Sequence, residues 1–250
     1  MLTDCHAHLA DPVFDRDRRE VLSRAREAGV GAVVTVGETL EDAERILDLA
    51  RQHAEIRPAA GLFPTYLDPE QAERIEGRIR EERERFVAIG EVGLDHWKVK
   101  ESEDRELQRQ IFARFVRLSL ELDLPLNIHS RSAGRQVIAL LLEEGARRVQ
   151  LHAFDGKPST AQPAVEAGYF FSVPPSVVRS RQKQKLVRRI PLSSLLLETD
   201  SPVLGADPGE RNEPANLRVS LSAIAELKEV SEQEVEAAVT ENTKRLYGEM

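Results

Sequence analysis

Short apolar runs alternate with longer amphipathic stretches along most of the chain. Several runs are almost continuously apolar, as in Ala32–Val36 and Leu195–Leu197. Strands of this kind are covered on both faces, as in parallel sheets, whereas a strand with one face in water would alternate. The pattern predicts eight strands: Leu2–His6, Gly31–Val36, Ile56–Leu62, Phe86–Glu91, Pro125–His129, Arg148–His152, Tyr169–Val173 and Ser194–Glu198.

The stretches between these runs have helical spacing and helix-end signals. Thr39–Asp42 resembles a capping box, and Asp68 followed by proline is typical of a helix start. Residues 103–122 carry one apolar stripe, and Ser231–Glu234 forms a second capping box before a C-terminal helix. Gly29 and Gly145 stand where helices end. Strands therefore alternate with helices throughout the chain.

This alternation is compatible with a closed barrel or with an open doubly wound sheet. The chain has 250 residues, which is typical of one (β/α)8 domain, and no linker divides it. The sequence therefore predicts an α/β fold, a (β/α)8 TIM barrel, in a single domain over residues 1–250.

Charge and cysteine content narrow the functional classes. The net charge is −8, so the chain lacks the bulk basic surface of a non-specific nucleic-acid binder. This does not exclude nucleic acid as a substrate, because a local positive site is enough to hold a few phosphates. The chain has one cysteine, no visible signal peptide and no apolar run of roughly 20 residues. We therefore expect a cytoplasmic protein without a membrane partner.

Six side chains suited to metal binding fall at or just past predicted strand ends. In a barrel, all these ends open onto one face, which carries the active site. Imidazoles with a few carboxylates suit a divalent ion, and one carboxylate can bridge two ions with its two oxygens. The spacing predicts a two-metal centre formed by residues from several strand ends: His6 and His8 after strand one, then Glu91, His129, His152 and Asp200.

Other candidates have plainer interpretations. His53, in a helix tail, is interpreted as a surface residue, and His96 as a loop residue near Glu91. Cys5 is expected to be a small core residue that points opposite to His6. Trp97 could stack on a base or pack against a loop, and the sequence favours neither.

Several segments together resemble the TatD family of metal-dependent deoxyribonucleases, within the amidohydrolase-like barrels. The resemblance runs from end to end, and residues 130–135 and 171–176 are more similar to the branch that contains the third human TatD-domain protein than to the bacterial namesake. The segments that carry it are Asp4–His8, Gly90–Asp95, Pro125–Arg131, His152–Gly156, Leu197–Pro202 and Arg211–Pro214.

The resemblance implies a role for each ligand. His6 and His8 would bind one ion, and Glu91 would bridge two ions and act with Asp200 in catalysis. His129 and His152 would bind the second ion. DNA would be the substrate.

Further roles follow from the same resemblance. Asp200 would bind metal and orient or deprotonate the attacking water, and the planar fork of Arg131 would bind substrate phosphate. Asp95 and Glu198 are candidates to hold imidazoles or water, although either could form an ordinary salt bridge instead. One position departs from the family, which often has Gly-x-His-Pro after strand three; here the third residue is Phe63.

Three functions remain open at this point. The first is phosphodiester hydrolysis on DNA by water that two metal ions activate. The second is hydrolysis of an amide, ester or lactone on the same barrel, although Glu91 stands where some amidohydrolases carry a bridging lysine. The third is weak nucleic-acid binding without catalysis, which the negative charge disfavours. The sequence does not choose among Mg²⁺, Mn²⁺ and Zn²⁺, between exo- and endonuclease action, between DNA and RNA, or between oligomeric states.

Overall fold

The computed structural model describes residues 1–249 and contains one eight-stranded sheet. All neighbouring strands in it are parallel, and they follow one another in chain order. The strands are β1 Leu2–Ala7, β2 Val30–Val36, β3 Ile56–Ala60, β4 Ala88–Gly93, β5 Leu126–His129, β6 Val149–Leu151, β7 Phe170–Val173 and β8 Leu195–Leu197. The prediction of eight strands is confirmed, and each observed end lies within two residues of its predicted position.

Helices follow the strands and surround the sheet. They are α1 Arg18–Glu27, α2 Leu40–Gln52, α3 Pro69–Glu81, α4 Ser102–Leu122, α5 Gly134–Glu143, α6 Pro158–Glu166, α7 Arg181–Arg189, α8 Leu217–Lys228 and α9 Glu232–Tyr247. Short 3₁₀ turns lie at Pro12–Phe14, Arg83–Arg85, Pro175–Val178, Leu192–Ser194 and Pro214–Asn216. No helix within residues 1–249 has the length and apolar character needed to cross a membrane.

The predicted helix ends are present. Asp68 caps α3 by accepting hydrogen bonds from the N–H groups of Glu70 and Gln71. The Ser231 capping box at α9 is complete. Gly29 and Gly145 follow their helices with φ values of +85° and +71°, a conformation that favours glycine. These helix ends were predicted correctly because each depends only on residues within about one helical turn of it.

Closure of the barrel depends on the segment just after β8. The N–H of Asp200 donates to the carbonyl of His6 at 2.9 Å, and the N–H of His8 donates to the carbonyl of Ser201 at 2.8 Å. The buried carboxylate of Asp4 accepts hydrogen bonds from the N–H (2.8 Å) and the hydroxyl of Thr199. These contacts join the first strand to the end of the last, so the fold is a barrel and not an open sheet.

The apolar core lies mainly between the strands and the helices, and the barrel interior is partly polar. A smaller apolar cluster, which includes Cys5, Phe170 and Leu246, fills the lower interior. Above it, a polar layer of Asn127 and Gln150 is hydrogen-bonded to the buried end of α9. Cys5 is therefore a buried core residue, as predicted. This polar layer lies directly below the strand ends and offers hydrogen-bond partners to the polar side chains there.

Candidate metal centre

A cavity of about 440 Å³ opens at the carboxyl ends of the strands. Its floor and walls come from the loops after most of the strands, which is where barrels of this kind carry their sites. The volume is in the range of pockets that hold small ligands. The lining residues are His8, Glu38, Phe63, Glu91, His129, Ser130, Arg131, His152, Ala153, Asp155, Lys183, Asp200, Val203 and Leu204.

Four polar atoms converge on one point beside this cavity, and we call them the first cluster. The Nε2 atoms of His6 and His8 lie 3.3 Å apart. Oδ1 of Asp200 lies 3.4 Å from each of them. Oε2 of Glu91 lies 3.6 Å from His6 and 3.5 Å from His8. The distances between these ligand atoms therefore all lie between 3.3 and 3.6 Å.

The two histidines meet although β1 is irregular. In a regular strand, side chains two residues apart point the same way. The register of β1 against β2 instead shifts between Asp4 and Ala7. Regular alternation therefore does not account for the meeting of His6 and His8, which are held in place by backbone hydrogen bonds to Asp200 and Ser201.

A second cluster shares Glu91 with the first. Its Oε1 atom lies 2.6 Å from Nδ1 of His129 and 2.8 Å from Nε2 of His152. These two nitrogens are 3.4 Å apart. Glu91 thus faces one cluster with each carboxylate oxygen, which is the arrangement of a bridging ligand. The structure brings together all six side chains that the sequence singled out.

Neighbouring polar groups set the orientation of two imidazoles. Oδ1 of Asn127 lies 2.8 Å from Nδ1 of His6, while Nδ2 of Asn127 donates to the carbonyl of Cys5 at 2.9 Å. The amide is therefore oriented, and Nδ1 of His6 must carry the hydrogen. Oδ2 of Asp95 lies 3.2 Å from Nε2 of His129. Neutral His6 consequently turns an unprotonated Nε2 toward the first cluster, and neutral His129 does the same at Nδ1 when its hydrogen lies on Nε2, facing Asp95.

The donor set fits a metal ion by its chemistry and its spacing. With His6 neutral and the hydrogen of neutral His8 on Nδ1, the first cluster presents only lone pairs to its centre, and these repel one another unless a cation is present. Ligands about 2.0–2.1 Å from a tetrahedral ion lie about 3.3–3.4 Å apart, close to the separations in the first cluster. Groups of three possible ligands occur around His6, His8 and Glu91.

The electrostatics of the clusters also favour positive charge. Burial opposes charge on His6, but the contact with Asp200 and the charge of Glu91 raise the pKa of His6 to about 10. Burial likewise opposes charge on His129, and Asp95 and Glu91 raise its pKa to about 9. Burial and the neighbouring His6 lower the pKa of His152 to about 4. In the metal-free protein, protons therefore take the place of a cation at His6 and His129.

The central carboxylates stay ionised despite their burial. Burial acts to raise the pKa of Glu91, but His152 and His129 hold it well below its usual value. Burial is also outweighed at Asp200, where hydrogen bonds with His6 and His8 lower the pKa. Two buried carboxylates with depressed pKa values are available as anionic ligands or proton acceptors at neutral pH.

Asp95 and Glu198 differ in what they hold. Asp95 contacts the His129 imidazole, as the sequence suggested. Glu198 instead accepts the N–H of Ala153 at 2.8 Å and the hydroxyl of Ser172 at 2.6 Å, and lies 3.8 Å from Nδ1 of His152. Burial raises the pKa of Glu198 to about 7. Nδ1 of His152 has no hydrogen-bond partner in the described chain. Glu198 therefore orients the backbone beside His152 and does not bind its ring.

Two aromatic residues border the cavity or its rim. The ring of Phe63 packs edge-to-face on His129, with centroids 4.9 Å apart. Trp97 is 48% exposed, and the guanidinium carbon of Arg131 lies 3.9 Å from the centroid of its ring. Trp97 is therefore not packed beneath a loop. Its ring contacts the side chain of Arg131, which lines the cavity.

The remaining histidines lie outside the clusters. His53 caps the end of α2 and is half-buried, so it is less exposed than expected. His96 is a loop residue, as interpreted, and its N–H donates to the carbonyl of Arg131 at 3.0 Å. Neither residue lines the cavity as the structure describes it.

Three residues at the site escaped the sequence analysis: Asn127, Glu38 and Lys183. Asn127 could have been found, because residues two apart on a strand face the same side and His129 follows it by two. Glu38 follows β2, and its Oε1 lies 3.8 Å from Nδ1 of His8. Lys183 lies on α7, within a charged stretch that is typical of an ordinary solvated helix. For Lys183 the sequence contains no local signal.

The barrel and its histidine–carboxylate clusters define the class of (β/α)8 metal-dependent hydrolases. The chain belongs to the TatD related DNase family, whose model matches residues 3–248. It is 46% identical to the deoxyribonuclease TATDN3 of Homo sapiens, over 98% of this chain and 94% of that protein. This confirms the predicted likeness to the third human member.

Other relatives agree with this membership. The uncharacterized metal-dependent hydrolase YabD of Bacillus subtilis is 34% identical, over 99% of both chains. Among solved structures, the TatD homologue YjjV of Escherichia coli superposes with a TM-score of 0.91 at 28% identity. That comparison covers 100% of this chain and 98% of YjjV. The (β/α)8 fold and the hydrolase family are thus established together.

Proposed function

We propose that this protein is a cytoplasmic deoxyribonuclease that hydrolyses phosphodiester bonds with water activated by two divalent metal ions. The observation that carries the proposal is the position of Glu91, whose two carboxylate oxygens each face a separate group of ligand atoms. One bridging carboxylate between two such groups is the donor set of a two-metal site. TATDN3 is named a deoxyribonuclease, and it shares 46% of its aligned residues with this chain.

The ligands divide between the two clusters. His6, His8 and Asp200 would hold one ion, His129 and His152 the other, and Glu91 both. A bound pair of Mg²⁺, Mn²⁺ or Zn²⁺ would lower the pKa of water and polarise the phosphoryl oxygens. The chain supplies fixed imidazole orientations for this purpose through Asn127, which locks His6, and Asp95, which contacts His129.

Asp200 is suited to orient the attacking water and accept its proton. Its carboxylate is ionised, lines the cavity and is held in place by its backbone N–H bond to the carbonyl of His6. A general base must reach the proton that it removes and must be unprotonated at working pH. The lowered pKa of Asp200 supports the second condition and its place in the cavity lining supports the first, while Glu91 lies on the opposite side of the same cluster.

Arg131 is suited to bind the substrate phosphate. The contact of its guanidinium with the Trp97 ring holds its five N–H donors beside the cavity. No acceptor side chain or carbonyl within residues 1–249 uses these donors. A planar guanidinium pairs well with two phosphate oxygens, so a substrate phosphodiester would supply the missing partner.

Cations at the cavity favour a phosphate substrate over a neutral amide, ester or lactone. Arg131 and Lys183 both line the cavity, and neither lies within 4.0 Å of a carboxylate in the part of the chain that the structure describes. Two unpaired cations at a metal site complement an anion and would contribute little to a neutral carbonyl group.

The proposed cytoplasmic location is compatible with the single cysteine. Cys5 is a buried free thiol, as expected in a reducing compartment.

The decisive experiment uses metal-stripped protein and end-labelled single-stranded DNA, with Mg²⁺, Mn²⁺ or Zn²⁺ restored in turn. We expect metal-dependent cleavage, and we expect Asp200→Asn to lower turnover by about 10²–10⁴-fold because it removes the proton acceptor. Asp155→Asn is the matched control, since Asp155 lines the same cavity outside both clusters. Its turnover should stay close to that of the unmodified protein.

Two results would overturn the proposal in different ways. If Asp200→Asn cleaves DNA as fast as the unmodified protein, Asp200 has no part in the mechanism. If no metal supports cleavage although calorimetry shows that two ions bind, the metal centre stands but the substrate is wrong. Amides, esters and lactones would then be screened with the same reconstituted protein.

A further inference from the structure

The charge of this acidic protein is unevenly distributed. Residues 167–197 contain no aspartate or glutamate, while the rest of the chain holds all 43 acidic side chains against 29 of the 35 lysines and arginines. The six cations of this segment lie just before or within α7: Arg179, Arg181, Lys183, Lys185, Arg188 and Arg189. A single helix thus carries a local positive patch on a molecule of net charge −8.

Four of these cations share the outer face of α7. Arg181, Lys185 and Arg189 follow one another at intervals of four residues, which places them in one row along the helix. Arg188 lies beside this row, and all four are exposed. Because each residue rises about 1.5 Å, the row is about 12 Å long. The opposite side of the helix is packed against the barrel through buried Leu186 and Val187.

The position of these charges is unfavourable for the helix itself. Cations destabilise the first turn of a helix, where the backbone dipole is positive, yet the first turn of α7 has two cations and no acidic residue. No carboxylate within residues 1–249 lies within 4.0 Å of any of the six cations. Most other arginines that line the helices have such a partner. Cations that destabilise their own helix and have no carboxylate partner are typical of a functional surface.

The row begins beside the cavity. Lys183 turns toward the barrel, lines the cavity and donates from Nζ to the carbonyl of Ala153 at 2.7 Å. Arg179, just before the helix, donates from Nε to the carbonyl of Gly205 at 3.2 Å, and Gly205 follows the cavity residue Leu204. Lys183 and Arg179 therefore place positive charge at the cavity and its rim, and the exposed row begins at Arg181, at the end of α7 that follows the carboxyl end of β7.

We infer that α7 is the track on which a single-stranded nucleic acid lies as it leaves the metal centre. This inference rests on the proposed function and extends its site from the metal centre to an outer surface that holds the substrate strand. Glu91 lines the cavity but is only 1% exposed, and His6 is completely buried, so these ligands lie below the protein surface. A base-paired duplex cannot bring its backbone to such a depth without unpairing, whereas a single strand can. Successive phosphates would then meet Lys183, Arg181, Lys185 and Arg189.

The test compares binding and cleavage by two triple variants of the full metal-loaded chain. The first is Arg181→Gln, Lys185→Gln and Arg189→Gln. The matched control is Arg19→Gln, Arg74→Gln and Arg147→Gln, which removes three exposed cations without carboxylate partners elsewhere on the molecule. Circular dichroism and melting curves check that both variants fold. Binding is measured by fluorescence anisotropy in the Asp200→Asn background, which prevents cleavage.

We expect the α7 variant to bind a 20-nucleotide single strand at least about tenfold more weakly than the control variant does. The slope of log K against log salt should become shallower by about 2, since each phosphate contact on a single strand contributes about 0.7. Cleavage of bis-p-nitrophenyl phosphate, which is too short to extend from the cavity to Arg181, Lys185 and Arg189, should be unchanged. This contrast separates the track from the catalytic centre.

Three outcomes would overturn the inference. Equal losses in the two triple variants would show that only total charge matters. An unaltered salt slope in the α7 variant would show that no phosphate contacts were removed. Binding of the patch to phosphatidylserine vesicles and not to DNA would assign it to a membrane surface. Failure of the unmodified protein to cleave any phosphodiester would instead overturn the proposed function. This result differs from the three above because it is measured on the unmodified protein.

Discussion

At the scale of single residues, Phe63 stands where the resemblance to the family leads us to expect a histidine. An edge-to-face contact with His129 places its ring on the cavity wall. The ring cannot transfer a proton or bind a phosphate oxygen, as the histidine often found there can. It can only shield the His129 side of the site from water. The aromatic ring therefore changes the chemistry of the cavity wall without changing the two ligand clusters.

We expect Phe63→His to raise cleavage of single-stranded DNA several-fold, because it would restore a proton donor beside the second cluster. Phe63→Leu is the control that removes the aromatic ring without adding a polar group. Both variants are measured with the same labelled strand and the same metal. If the histidine variant gains nothing over the leucine variant, another group in this protein has taken over that role.

Polar neighbours matter as much as the ligands themselves. Asn127 fixes the hydrogen of His6, and its amide nitrogen contacts the carbonyl of Cys5 and the hydroxyl of Tyr247. The C-terminal helix therefore reaches the metal centre through a single side chain. Such supporting hydrogen bonds commonly decide ligand orientation at metal sites.

At the scale of secondary structure elements, the contact between β4 and β5 sets the position of Glu91 relative to His129. Gly93 ends β4 at φ +147°, and a Cβ atom there would lie 2.0 Å from the carbonyl oxygen of His129. Only glycine permits this approach, because backbone atoms cannot move aside as a flexible side chain can. The shared ligand of the two clusters thus depends on a close backbone contact two residues away.

We expect Gly93→Ala to lower the free energy of unfolding by more than about 3 kcal/mol, because both the φ angle and the contact oppose a side chain. Gly77→Ala is the opposite control. Gly77 lies inside α3, and a Cβ atom added there would have no neighbouring atom within 4 Å. Alanine at this position should therefore stabilise by roughly 0.5–1 kcal/mol. Urea unfolding measures both. Equal effects would refute the close-contact argument.

At the scale of the whole molecule, metal binding and proton release should be coupled. The pKa values of His6 and His129 are raised to about 10 and about 9 in the metal-free protein. Below these values both imidazoles carry protons that a metal ion must displace. Their contribution to metal-free stability is complete below the unfolded pKa of about 6.5 and declines as pH rises through the folded values. Metal-free stability and metal affinity should therefore change with pH in opposite directions.

We expect metal affinity to rise with pH between about pH 6 and 8, by up to about tenfold per unit for each proton displaced. The metal-induced increase in melting temperature should grow over the same range. Calorimetry in buffers with different ionisation enthalpies counts the released protons. His53→Gln is the control, since this histidine lies outside both clusters. Affinity that stays constant with pH would contradict the raised pKa values.

Much of the fold was predictable because its signals are local. Leu195–Leu197 is recognisable as a buried strand from its composition alone, and Ser231 marks the start of α9 within one helical turn. The candidate ligands were predictable for a related reason. His129 and His152 each stand at a strand end, and in parallel strands these ends share one face. Residue type and position along the strand were therefore enough to predict that the six ligands lie close together.

The sequence by itself determined the strands, the helix ends and the types of side chain that meet at the centre. Only the tertiary structure decided that Asp4 and Thr199 close the barrel, that Asn127 orients His6, and that Lys183 carries the charge of α7 into the cavity. The physical reason is distance along the chain. A local pattern fixes which face a residue occupies, whereas contacts between residues far apart in sequence depend on how the whole barrel packs.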